Sequence, residues 1–260
     1  MQTQNYRPPS AKHAPTFHDA AHRWHSAQAF AAGADVYDSV RPGYPKEVGD
    51  LVAGFRRVVD IGAGTGKLTT ALRDRGHDVV AVDPSPDMTR VLSHVHGIPA
   101  WRATAEATAL AAGSVDAATI AQTWHWVDVP AASRELHRVV RAGGRVVLVW
   151  NTLDVSHPWV LRLARIMHSG DIHAEGFVPD IAGPWAMVDE RRLRWAQHLR
   201  AEDLFLLAQT RSYWLRSREA IRQRVSDNLA WYLYERLRFH PDQLLALPYR
   251  TDAFVLERVS

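Results

Sequence analysis

Cysteine is absent from this 260-residue chain. That excludes a disulfide framework, a thiolate metal site and a thiol nucleophile. No apolar run approaches the length of a membrane span, so no membrane partner is expected. The beginning of the chain, with Arg7, His13 and several prolines ahead of any apolar block, has no secretory signal pattern, and the expected compartment is the cytoplasm. Lysine is scarce: Lys12, Lys46 and Lys67 are the only ones. The pI of about 9.4 is therefore an arginine effect. The net charge is only +3, the arginines are scattered among acids, and no basic stripe with interleaved aromatics occurs, which argues against a nucleic-acid partner. Internal repeats and low-complexity tracts are missing too. What is there, 47% hydrophobic against 23% charged residues, is the balance of a globular domain long enough to bury a large core.

The most informative stretch is Val58-Val59-Asp60-Ile61-Gly62-Ala63-Gly64-Thr65-Gly66-Lys67-Leu68, an apolar strand running through three alternating glycines into a helical pattern. Glycines at these positions let the backbone turn sharply and leave no Cβ to hold a ligand away from the main chain. A dinucleotide fingerprint would need glycine where Lys67 stands, and a phosphate P-loop would need Ser or Thr where Leu68 stands. Both phosphate readings weaken; an ordinary strand-to-helix turn of another α/β fold stays open. A second apolar strand, Asp78-Val79-Val80-Ala81-Val82-Asp83, closes on an acid before Pro84 and Ser85. In a doubly wound sheet ligands bind at the carboxyl ends of the strands, and a carboxylate there can accept from both hydroxyls of a ribose. Further along come Ala105-Glu106, the strand Val115–Ala121 ending at Gln122, and the strand Arg145–Trp150 after the turn Arg141-Ala142-Gly143-Gly144.

This series resembles class I methyltransferases dependent on S-adenosylmethionine (SAM), with Asp60-x-Gly62-x-Gly64-x-Gly66 as their first motif. The turn matches the family's R-P-G-G except that Ala142 replaces proline. The resemblance implies a Rossmann-like α/β fold of seven strands, the last antiparallel, with helices on both faces and helical insertions near the C-terminus. It implies SAM as cofactor and S-adenosylhomocysteine as product. Asp60, Gly62, Ala63, Gly64, Asp83, Pro84 and Gln122 would contact SAM, and Ala105 and Glu106 would flank its adenine. Residues 1–16 read as a flexible tail and 17–260 as one domain: cap helices over 17–54, a cofactor core over 55–150, late strands and acceptor-side helices over 151–260.

Two further elements narrow the resemblance. Tyr37-Asp38-Ser39-Val40-Arg41-Pro42-Gly43-Tyr44-Pro45 and Gln122-Thr123-Trp124-His125-Trp126 are similar to a small-molecule subgroup of the trans-aconitate methyltransferase type. Tyr37 and Arg41 stand one helical turn apart, so both can face the SAM carboxylate, or else anchor a helix to the core. Methyl transfer from a sulfonium is an in-line displacement that mostly needs alignment. A carboxylate acceptor needs only donors to orient it, for which Gln122, His125, Trp124 and Trp126 are candidates. A hydroxyl or amine needs a proton acceptor, and His125 is then the residue; a structural role between tryptophans is its other reading. One of Trp124 and Trp126 is expected to pack rather than bind substrate. His18, His22 and His25 share a helix face, but no carboxylate or cysteine completes a metal site, so no metal is expected. The aromatic set Tyr213, Trp214, Trp231, Tyr232 and Tyr234 reads as helix packing, with a pocket or a dimer face as alternatives. The expectation is a SAM-dependent enzyme, monomer or homodimer, methylating a small molecule at a carboxylate or hydroxyl oxygen. A catalytically silent SAM-binding protein, a nucleic-acid or protein methyltransferase, and an NAD-type oxidoreductase are the rivals.

Overall fold

The computed structural model describes residues 39–170 and 172–259. Tyr37, the histidines at 18, 22 and 25 and the expected tail lie outside the described residues. Helix α1 (Lys46–Asp50) precedes strand β1 (Arg57–Ile61), whose last four residues are buried. The glycine turn leads into α2 (Lys67–Asp74), and β2 (Asp78–Asp83) follows. Next comes α3 (Pro86–Arg90), which starts on a Ser85 cap with proline at its first position, continues as a π-turn over Val91–Val95 and leads to the short β3 (Ala100–Arg102). The cap oxygen and the pre-set φ of proline are why the helix begins there. Strand β4 (Val115–Ala121) ends at a 3₁₀ turn, Trp124–Trp126, and Asp128 caps α4 (Val129–Val139) by accepting from the Ala131 N–H. Strand β5 (Val140–Leu153), α5 (Pro158–Ile166), β6 (Trp185–Arg200), α6 (Asp203–Gln209), α7 (Ser212–Arg216), α8 (Glu219–Ala230) with a π-turn over Trp231–Arg236, and β7 (Leu244–Arg258) complete the order.

The seven strands form one sheet in the order β3-β2-β1-β4-β5-β7-β6. The pairs among β1 to β5 are parallel, and β7 runs antiparallel to both neighbours. This is the expected doubly wound sheet with a reversed last strand. The chain order turns back at β1 and β4, which puts a crevice at the carboxyl ends of these strands. Apolar layers cover both faces: Leu68 and Leu72 of α2 pack with Val48 and Val52 on one, and Leu136 and Val139 of α4 on the other. A further cluster joins Leu163, Leu204, Leu229 and Leu233 of the late helices to Leu247 and Tyr249. Of the late aromatics, Tyr232 is buried and donates to the Trp159 carbonyl, whereas Trp231 is exposed.

Three boundaries differ from the sequence expectation. The Arg141–Gly144 turn is drawn into β5, which pairs from Val140 and shifts register between Val115 and Ala117. Gly144 allows this, since a Cβ would stand 2.4 Å from the Asp116 carbonyl oxygen. The two late strands, which the sequence pattern places at 192–199 and 251–259, begin earlier as β6 and β7 and pair from Trp185–Arg258 to Arg200–Leu244. Pro248 hides that length, because proline removes a ladder donor. It is tolerated because the β5–β7 pairing ends at Tyr249, and beyond it Pro248 is asked only to accept, from the Asp154 N–H at 3.0 Å.

Candidate active site

A cavity of about 210 Å³ opens at the carboxyl ends of β1, β2 and β4, among Gly62, Ala63, Gly64, Asp83, Pro84 and Gln122. The glycine turn makes it possible. Gly62 has φ +68° and Gly64 φ +57°, conformations that side chains resist. A Cβ on Gly62 would lie 2.3 Å from Thr123 Oγ1, so this glycine is required by packing between the two strand ends; a Cβ on Gly64 would meet nothing within 4 Å. Gly64 thus borders open space.

Two buried carboxylates stand at the bottom. Asp60 accepts from Thr69 Oγ1 at 2.6 Å and Thr119 Oγ1 at 2.8 Å. Burial, opposed by those bonds and reinforced by the Asp83 charge, pushes its carboxyl up from 3.8 to about 6. Asp83 accepts from the Gly64 N–H at 2.9 Å and the Ser85 N–H at 2.8 Å. Burial moves its carboxyl upward as well, against the pull of those N–H groups. Asp83 therefore shapes the loop as well as facing the cavity, with lone pairs still available to hydroxyl donors.

Gln122 follows β4 with φ +55°, unusual for a side chain of this size. Its Nε2 donates to the Asn151 carbonyl at 2.6 Å. Among the described residues its buried Oε1 has no hydrogen-bond partner. A buried oxygen without a donor is costly, and the strained backbone that presents it is of the kind stored at ligand sites. Asn151, which sequence reasoning missed, lines the cavity. It donates from Nδ2 to the Gly43 carbonyl at 2.8 Å and accepts from Thr251 Oγ1 at 2.6 Å. It ties the Arg41–Pro45 segment to the sheet. Its place at the end of the fifth apolar strand was the available signal.

The other predicted residues divide. Arg41 lines the cavity, yet its Nε and Nη2 donate to Thr210 Oγ1 at 2.9 Å and the Thr210 carbonyl at 2.8 Å, linking the segment to α6. Trp126 lines the cavity, whereas Trp124 is buried in the core and donates to the Asp180 carbonyl at 2.8 Å. The tight 3₁₀ turn separates residues two apart around its axis, so the two indoles do not share a face. Ala105 is core, and Glu106 accepts from the Asp128 N–H at 2.9 Å. Neither lines the cavity. The Glu106 carboxylate is engaged by the backbone at the start of α4. His125 is not a lining residue either. Its ring lies 5.3 Å from that of Trp126, and its Nδ1 stands 3.2 Å from Trp150 Nε1.

Comparison with known proteins decides the family. A family model described as a methyltransferase domain matches residues 59–148. An uncharacterised methyltransferase of Mycobacterium tuberculosis is 41% identical over 227 residues, covering 85% of this chain and 92% of that protein. The chain belongs to the class I SAM-dependent methyltransferases. A malonyl-[acyl-carrier protein] O-methyltransferase of Serratia marcescens is 28% identical over 169 residues, 62% of this chain and 65% of that protein. The fold is shared with a solved structure of a candidate type II methyltransferase from Anaeromyxobacter dehalogenans, with a TM-score of 0.57 at 22% identity, covering 84% of this chain and 97% of that one.

The donor set of the cavity suits SAM. The open side of Gly64 leaves room for a ligand close to the main chain, the Asp83 carboxylate can accept from hydroxyls, and the Gln122 oxygen can accept from an ammonium. The methyltransferase has no helix among the described residues long and apolar enough to cross a membrane.

Proposed function

We propose that this methyltransferase transfers the methyl group of SAM to an oxygen of a small-molecule carboxylate, in keeping with its resemblance to the trans-aconitate type. The observation that carries the reading is the segment from Gln122 to Trp126: Gln122 presents to the cavity a buried oxygen that has no partner among the described residues, Trp126 lines the same cavity, and the His125 imidazole lies against the Trp126 indole outside that lining. The O-methyltransferase activity named for the Serratia relative supports oxygen as the target. SAM, when bound, supplies an electrophilic methyl group on a positively charged sulfur.

The chain's residues do the rest. Gly62, Ala63 and Gly64 bring the backbone against the methionine part, Asp83 with Pro84 holds the ribose, and Gln122 Oε1 accepts from the ammonium. Asp60, below them, adds negative potential near the cationic ligand once it is ionised. Arg41 closes the methionine end by fixing its segment against Thr210. Trp126 forms the boundary between cofactor and acceptor and excludes water from the reacting line. His125 orients the acceptor. The acceptor's own negative charge makes it nucleophilic, so the site needs alignment more than acid–base machinery.

The test is calorimetric titration of the full chain with SAM, followed by transfer of labelled methyl from SAM to a panel of small carboxylic acids, alcohols and amines. SAM binding with label appearing as methyl esters supports the reading. Label on amines or alcohols alone, or binding with no transfer to any member, overturns it.

A further inference from the structure

Beside a structural role between tryptophans, the sequence leaves His125 two roles toward an acceptor, proton acceptor or orienting donor, and its neighbour on β5 separates these two. Trp150 is 1% exposed, and its indole Nε1 lies 3.2 Å from His125 Nδ1. An indole nitrogen carries a hydrogen and offers no lone pair, so it can only donate. Nδ1 must present its lone pair. In the neutral imidazole the single proton then stands on Nε2.

Trp150 is held firmly enough to impose this. Three rings meet it edge-on: Phe177 at 5.0 Å, Phe254 at 5.7 Å and His173 at 5.8 Å between centroids. His173 stacks on Phe177 at 4.1 Å. The segment carrying both is tied down by arginines of the last two strands: Arg250 Nη2 donates to the His173 carbonyl at 2.9 Å, and Arg192 Nη2 to the Phe177 carbonyl at 2.9 Å. The fully buried Asp252 lies between these arginines, 2.8 Å from Arg250 Nη2 and 3.2 Å from Arg192 Nη1. Turning the indole away from His125 would require opening this packed group.

We infer that Trp150 is a positioning residue that fixes His125 in the Nε2–H form, so that His125 is no base toward the acceptor. The inference rests on the reading of His125 as an acceptor-side residue. It makes Trp150 a determinant of specificity. A carboxylate oxygen forms the new bond to the methyl carbon with its own lone pair, the carbon–sulfur bond breaks with its electron pair left on sulfur, and no proton remains to be removed. A hydroxyl or amine leaves a proton over, and an imidazole already protonated on Nε2 and engaged on Nδ1 cannot take it. His125 therefore serves oxygens that arrive already ionised.

The tautomer can be observed without knowing the acceptor. Two-bond ¹H–¹⁵N correlation spectra of the labelled full chain near neutral pH, with His125 assigned by its loss in His125→Gln, should show a protonated Nε2 and an unprotonated Nδ1. In Trp150→Phe, which keeps a ring among Phe177, Phe254 and His173 but removes the N–H, the His125 signals should move toward a mixture of tautomers. A protonated Nδ1 in the wild-type protein overturns the inference whether or not the variant folds. An unchanged tautomer in a folded Trp150→Phe overturns the part given to Trp150. If the tautomer is as expected while His125→Gln still methylates the acid panel undiminished, the acceptor-side reading of His125 fails and the hold of Trp150 on it stands.

Discussion

Asp83 carries two duties at once, which sets what its removal costs. Its carboxylate anchors the Gly64 and Ser85 N–H groups and, in the proposed site, accepts from the ribose. Asp83→Ala should weaken SAM by about 1.5–3 kcal/mol, roughly ten- to a hundredfold in dissociation constant, measured by calorimetry. Asp83→Asn keeps one carbonyl oxygen and should lose less. Equal affinity in wild type and Asp83→Ala would remove the assignment. That this acid faces the cavity was legible in the sequence because a polar residue closing an apolar strand has few other reasons to be there. The same logic reached Gly62 and Gln122, the first residues after their strands, and the glycine alternation reached Gly64. It does not separate cavity from core at Trp124 and Glu106, where that choice depends on the pitch of one 3₁₀ turn and on a carboxylate bonded to a backbone N–H 22 residues away. No residue-type pattern encodes either. Asn151 was missed because this polar residue near the end of β5 belongs to no glycine motif.

Elements show the same division between local and distant causes. The glycine turn joining β1 to α2 makes two demands that alanine separates. Gly62→Ala meets both a left-handed backbone and the Thr123 side chain, whereas Gly64→Ala meets the backbone alone. The first should lower the melting temperature clearly more than the second, and Gly64→Ala should instead show its main loss in SAM affinity because its methyl enters the cavity. A Gly64→Ala protein that binds SAM normally would place the cofactor elsewhere. At the start of α4, Glu106 accepts from the N–H of the cap residue Asp128. Glu106→Ala should cost about 0.5–2 kcal/mol in urea unfolding, as the loss of a helix-start partner does, and leave SAM affinity nearly unchanged. A selective loss of SAM affinity would restore the adenine role. Strands β1, β2 and β4 could be read from apolar runs because parallel strands are buried on both faces. Strand β3 could not, since three residues carry no period, and the full length of β6 and β7 was masked by Pro248 and by the arginine-rich, half-exposed pattern of an edge strand.

At the scale of the whole molecule, the cost of keeping charge at the cavity floor should appear in the response of stability to pH. Asp60 is buried among apolar strands, and its carboxyl titrates at about 6 in the fold, against an ordinary value of 3.8. The native state therefore binds this proton more tightly than the unfolded chain. Stability falls as pH rises wherever the native state holds more protons, so the contribution of Asp60 is greatest below pH 3.8 and is lost as pH climbs through about 6. The interval corresponds to about 3 kcal/mol. Asp83, shifted in the same direction by burial, adds to the slope. Glu135 acts oppositely: Arg138 and the Thr108 hydroxyl and N–H hold its carboxyl below the usual range, so its contribution is present above the ordinary value of 4.5 and lost as pH falls below it. Asp60→Asn isolates the first effect, because asparagine keeps a carbonyl oxygen for Thr69 or Thr119 and cannot ionise. Urea unfolding of both proteins from pH 4 to 7 should show the wild type losing stability relative to Asp60→Asn by about 2 kcal/mol across that range. A flat difference would mean that Asp60 is ionised throughout. Saturating SAM should shrink the difference, since a cation bound beside Asp60 favours the ionised form, and the neutral-sulfur product S-adenosylhomocysteine should shrink it less.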